Sequence, residues 1–161
     1  MRTIPIALVL VLAGLTAAPA AALAADQRPI EGRFTLTLVG ITGGCGEGEV
    51  MLHFVGTGTI AHFGRVDGSA TNCTSATLGS EAVPISDGVA IYVAADGSSV
   101  TARYEGAQAA PLDGVAEVFS TNTVIAGTGR FAGAAGTWSI TGVVDLEAGT
   151  SSGALSGWIS Y

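Results

Sequence analysis

The sequence predicts an all-β protein, an antiparallel meander closed into a barrel in preference to a two-sheet sandwich. Three observations carry that reading. Apolar and polar residues alternate with period two in most windows, glycine-rich turns separate those windows, and nothing beyond the first 24 residues repeats at i, i+3, i+4 as a helix does. Glycines inside the alternating runs (Gly56, Gly58, Gly142, Gly157) suit the bends and close backbone approaches of a sheet curled on itself. Closure also removes exposed sheet edges.

The elements follow in order. In Phe34–Val39, Phe34, Leu36 and Leu38 share one face while Thr35 and Thr37 take the other. Glu49–Val55 and Thr57–Phe63 repeat the pattern on either side of Gly56. Val89–Ala94 and Ser99–Glu105 flank Asp96-Gly97, a hairpin turn signal because glycine accepts positive φ. Val115–Phe119 and Thr121–Ala126 lead into the glycine-rich stretch Gly127–Gly136. Thr137–Asp145 and Ser152–Tyr161 form the last pair, joined across Glu147–Thr150.

The first 24 residues read as a leader. Arg2 supplies a positive start, Ile4–Leu15 an apolar run, and Ala22-Leu23-Ala24 an A-x-A cleavage site. That run is too short to span a bilayer, which takes roughly twenty helical residues. Residues 25–161 then form a single barrel domain, exported to the cell exterior without a membrane anchor. This part carries all thirteen acids, five arginines and no lysine. Such a balance excludes nucleic acid as a partner, since phosphate binding needs clustered cations. It equally excludes a polybasic membrane contact. The absence of lysine here, with abundant alanine and glycine, points to a GC-rich bacterial source.

Two cysteines remain, Cys45 and Cys73. An exported chain permits a disulfide between them, the alternative being two buried thiols. Neither cysteine has the electropositive, histidine-flanked setting of a nucleophile. Gly43-Gly-Cys-Gly-Glu-Gly48 lacks the lysine and following helix of a phosphate loop, and reads as a flexible loop pinned by Cys45.

The segment Gly127-Thr-Gly-Arg-Phe-Ala-Gly-Ala-Ala-Gly136 resembles the Gly-Thr-Gly-x-Phe…Ala-x-Gly signature of dirigent proteins and allene oxide cyclases. Ala61-His-Phe-Gly-Arg65 and the terminal Gly157-Trp-Ile-Ser-Tyr161 are similar to segments of small secreted bacterial barrels of the allene-oxide-cyclase-like kind. The resemblance implies an eight-stranded antiparallel barrel, a lumen able to hold an apolar small molecule, and homo-oligomers, since plant relatives form trimers. It gives Gly127, Gly129, Phe131, Gly133 and Gly136 a structural role, a sharp connection and tight strand packing. No position matches the polar catalytic residues of those families, so activity does not carry over.

Candidate site residues come from the strands. Thr101, Arg103 and Glu105 share a face, as do Val115, Glu117 and Phe119. With those faces inward, Arg103 and Glu117 would pair in an apolar pocket and orient a carbonyl or an anion; with them outward, they are solvated charges. Tyr92, Phe119 and Trp138 complete the candidate ligand contacts, aromatics giving large contact area with few rotamers. His53 and His62 fit no metal motif, even with Glu49 beside them, and no metal or cofactor is implied. A Gly-x-Ser-x-Gly elbow for serine hydrolysis is missing. Asn72-Cys-Thr74 matches a glycosylation sequon. The functional expectation is a non-catalytic, secreted barrel binding a small apolar ligand in its lumen. The alternatives are an isomerase or cyclase acting on an unsaturated hydrophobic substrate, and a structural oligomeric surface protein.

Overall fold

The computed structural model describes residues 26–77 and 81–161. The leader expected over residues 1–24 lies outside the described residues. Eight strands follow in chain order: β1 (Arg28–Thr42), β2 (Glu49–Ile60), β3 (Gly64–Ser75), β4 (Val83–Ala94), β5 (Ser99–Gln108), β6 (Val115–Gly127), β7 (Ala135–Asp145) and β8 (Thr150–Ser160). Each pairs antiparallel with the next. β8 returns to β1 from Arg28↔Ile159 to Thr37↔Thr150, closing the sheet. The chain is an all-β, eight-stranded antiparallel barrel.

The strands run longer than in the sequence reading, β1 from Arg28 and β4 from Val83, and three further differences have a physical reason. Gly56 does not interrupt β2; it sits where the β1 backbone at Thr35 and Leu36 comes too close for a side chain. β6 runs unbroken through Ser120, whose side chain is buried. β3 has no strong alternation because glycine, serine and threonine fill much of it. Its ladders to β2 (Thr57↔Asp67) and β4 (Ser69↔Ile91) hold it in place instead.

The barrel has two unlike ends. At one, Ile30, Ile60, Phe63, Val66, Val100 and Ile159 pack around Phe131, which is fully buried. The glycine-rich segment builds this stopper. Gly129–Phe131 makes a single 3-10 turn, entered through Gly129 at φ 59°, a left-handed value that favours glycine. Phe131 meets Phe63 at 4.4 Å and Tyr161 at 4.9 Å between ring centroids. Arg130 donates from Nη2 to the Phe63 carbonyl at 3.0 Å, and its Nη1 lies 3.4 Å from Asp96 Oδ2. Its backbone N–H donates to Ser98 Oγ. The Ser98 backbone N–H holds the Asp96 carboxyl below its ordinary value, with a smaller contribution from the Arg130 guanidinium. One short motif therefore ties the β2–β3 and β4–β5 turns together and seals that end.

The opposite end carries the longer loops and the disulfide. Cys45 and Cys73 are bonded, with Cα atoms 5.8 Å apart, pinning the β1–β2 loop to β3. Across the outer wall stand threonines and the exposed charges Arg33, Asp67, Arg103 and Glu105. Side chains inside the wall are mostly apolar. The outer wall also exposes apolar side chains, among them Val39, Val55, Ile91, Phe119 and Ile125.

Candidate functional site: the barrel lumen

Inward-facing residues are not equally buried along the barrel. Near the stopper they are almost inaccessible; toward the disulfide end Phe34, Leu36, Leu52, Val118, Ile140 and Val144 point inward yet stay only half-buried. That half of the lumen is hollow, with a cavity of about 100 Å³. A purely apolar cavity of about 150 Å³ stays dry and takes benzene, whereas polar lining groups favour water or a guest with a polar handle.

Two walls of different character face each other across it. β1, β2 and β7 supply Phe34, Leu36, Leu52, Phe54, Ile140 and Val144. β3, β5 and β6 supply Asn72, Tyr104, Gln108, Ser120 and Asn122. Tyr104 donates its hydroxyl hydrogen to Asn72 Oδ1 at 3.0 Å, and Asn122 Nδ2 donates to Ser120 Oγ at 3.2 Å. Gln108 Nε2 and Asn122 Oδ1 are buried without a hydrogen-bond partner. The cavity lining contains no Asp, Glu, Lys, Arg or His.

Burial sets the chemistry of the tyrosines. Desolvation pushes the Tyr92 phenol up to about 12, with the neighbouring Trp138 indole opposing the shift. The two rings meet edge to face at 5.7 Å, but the indole N–H finds no acceptor in proper hydrogen-bond geometry. Burial drives Tyr104 upward as well, and Tyr92 adds to that shift. Both phenols stay protonated near neutral pH, and Tyr104 donates its proton to Asn72.

Of the candidate ligand contacts, Tyr92 lines the cavity, while Trp138 lies inside the barrel within the packed core. Arg103, Glu117 and Phe119 are on the outer wall, Phe119 being 52% exposed. Arg103 stands opposite Thr123 and Glu117 opposite Val143. That six-residue offset along β6 puts them about 20 Å apart. They make no lumenal pair. The cause is strand phase: β5 turns Val100, Ala102 and Tyr104 inward, which sends Arg103 out. Glu117 and Phe119 instead border a shallow outer groove with Ala107, Ala109, Thr141 and Val143.

The remaining polar candidates resolve simply. His53 is hydrogen-bonded to Thr42 Oγ1 at 3.1 Å, and His62 is exposed in the β2–β3 turn. Nine residues of chain, most of them extended β2, separate the two by roughly 25 Å, too far to share an ion. Asn72 is buried against the lumen, so its sequon is closed to a glycan in the folded protein. The lumenal set Asn72, Tyr104, Gln108, Ser120 and Asn122 was not among the sequence candidates. One signal for part of it exists: Ser120 and Asn122 share the phase of Ala116, Val118 and Val124 along β6.

No protein-family model, no curated protein and no solved structure matches this chain.

Proposed function

We propose that this protein is an exported, non-catalytic barrel that holds a small, mainly apolar molecule in its lumen, in the manner of the allene-oxide-cyclase-like and dirigent-like barrels it resembles. The observation that carries this reading is the hollow half of the lumen: an apolar wall facing a few buried polar groups. Ligand sites are commonly built this way, apolar surface for affinity and a few placed polar groups for orientation. The Cys45–Cys73 disulfide fits an oxidising compartment outside the cell.

The isomerase or cyclase reading is weaker, because Arg103 and Glu117 stand outside. It would rest on Tyr92 and Tyr104 as donors alone. A homo-oligomer is compatible with lumenal binding and has its own support in the exposed Val115, Phe119 and Val143. Native mass spectrometry of the mature protein from its own culture medium tests both points. A bound small molecule released on unfolding is the expected result, and an empty protein of one clean mass argues against the lumenal reading.

A further inference from the structure

We propose that the lumen selects uncharged guests that carry one hydroxyl or carboxamide, and that it rejects anions. This rests on the lumenal-binding reading and specifies its ligand class. Three observations converge on it.

The cavity wall has no ionisable acid or base other than the raised tyrosines. A charged guest would leave water without meeting a countercharge, which is prohibitive unless it neutralises first. The polar wall nevertheless has unmet capacity. Gln108 and Asn122, both at least nine-tenths buried, line the cavity with Gln108 Nε2 and Asn122 Oδ1 unpartnered. Reversing the Asn122 amide so that Ser120 donates to it would leave its nitrogen unpaired instead. A hydroxyl or a carboxamide both donates and accepts, so it satisfies either arrangement. A pure hydrocarbon satisfies neither.

The third observation is the charge around the open end. Glu47, Glu49, Glu81, Asp113, Asp145 and Glu147 all lie in its loops or adjoining strand ends. No arginine or lysine lies in those loops or strand ends, and the nearest basic side chain, His53 on β2, is hydrogen-bonded to Thr42; Arg28 and Arg130 are at the stoppered end. Glu49 and Asp145 brace their own loops by accepting backbone N–H bonds. An approaching carboxylate meets like charge at the mouth and no cation beyond it. The acidic collar and the uncharged wall act in the same direction.

Calorimetry of the disulfide-intact mature protein at pH 7 and low salt tests this with four probes of one ring size: toluene, benzyl alcohol, benzamide and benzoate. Benzyl alcohol and benzamide should bind at least tenfold tighter than toluene, and benzoate about a hundredfold weaker than benzamide. The advantage over toluene should collapse in one of Asn122→Leu and Gln108→Leu, each checked for fold by circular dichroism. The two groups stand four positions apart along the β5–β6 ladder, so one handle meets only one of them. Loss in neither would overturn the polar handle. Toluene binding as tightly as benzyl alcohol would overturn the polar-handle inference while leaving lumenal binding intact. Tight benzoate binding would overturn the rejection of anions. Should no probe bind, toluene included, the lumenal reading itself fails. A surface variant, E47Q/E81Q/D113N/E147Q, should raise benzoate affinity several-fold; an unmoved value removes the collar from the filter.

Discussion

Tyr104 on β5 reaches across β4 to donate its hydroxyl hydrogen to Asn72 Oδ1 on β3, at 3.0 Å. The intervening strand contributes Gly88 at that level, and a Cβ there would run into the Tyr104 ring and carbonyl. The local bulges in β3 and β4 lie at the same place. One absent side chain thus lets a tyrosine brace three strands from inside the barrel.

Tyr104→Phe keeps the ring and strands Asn72 Oδ1, so it should cost about 1–3 kcal/mol of stability in urea unfolding. Gly88→Ala should cost a similar amount, about 1–3 kcal/mol, by overpacking. A neutral Tyr104→Phe would mean that the hydrogen bond contributes nothing net.

Stability should be polarised along the barrel axis. Phe131→Ala removes a fully buried ring from the stopper and should cost about 3–5 kcal/mol. Leu52→Ala, at a half-buried position beside the cavity, should cost no more than about 2 kcal/mol, because many of its contacts are already missing. Equal costs for the two would contradict a hollow end.

The Cys45–Cys73 bond closes a long loop, its partners 28 positions apart in sequence. Its removal as Cys45→Ala/Cys73→Ala should lower stability by about 3–4 kcal/mol in the chain-entropy model. The barrel should survive, since neither cysteine belongs to the stopper. Far-ultraviolet circular dichroism together with a denaturation curve separates these two statements.

Alkaline pH supplies another check. The Tyr92 phenol ordinarily titrates near 10.0 and is raised to about 12 in the folded protein. Between those values the unfolded chain gives up the proton and the folded chain keeps it. The folded state then binds more protons, and stability falls as pH rises through that window. The loss from Tyr92 should approach about 2–3 kcal/mol by pH 12. Tyr92→Phe should flatten the decline, and an unaltered pH profile in that variant would exclude Tyr92 as its source.

Much of this fold was legible from alternation, because period two is a direct consequence of strand geometry. Phe34, Leu36 and Leu38 against Thr35 and Thr37 is the clearest instance, and the Asp96-Gly97 turn falls where expected. Alternation divides a strand into two faces without saying which one looks inward. On β5 the inward face is Val100, Ala102 and Tyr104, while the charged face that seemed to offer chemistry is solvated. β3 stayed hidden because both its faces are rich in small or polar residues, its place being dictated by neighbouring strands. The polar wall was hidden for a related reason. Asn72 and Gln108 acquire their setting from partners on other strands, and only the three-dimensional register shows that they are buried.

The central claim is that the barrel is hollow toward its disulfide end, and xenon-pressurised crystals test it most directly. Xenon enters dry apolar cavities without needing a polar contact. Density is expected in the cavity bounded by Phe34, Leu52, Phe54 and Ile140, and none around Phe131. A lumen filled by side chains, with room for neither xenon nor ordered water, would contradict it.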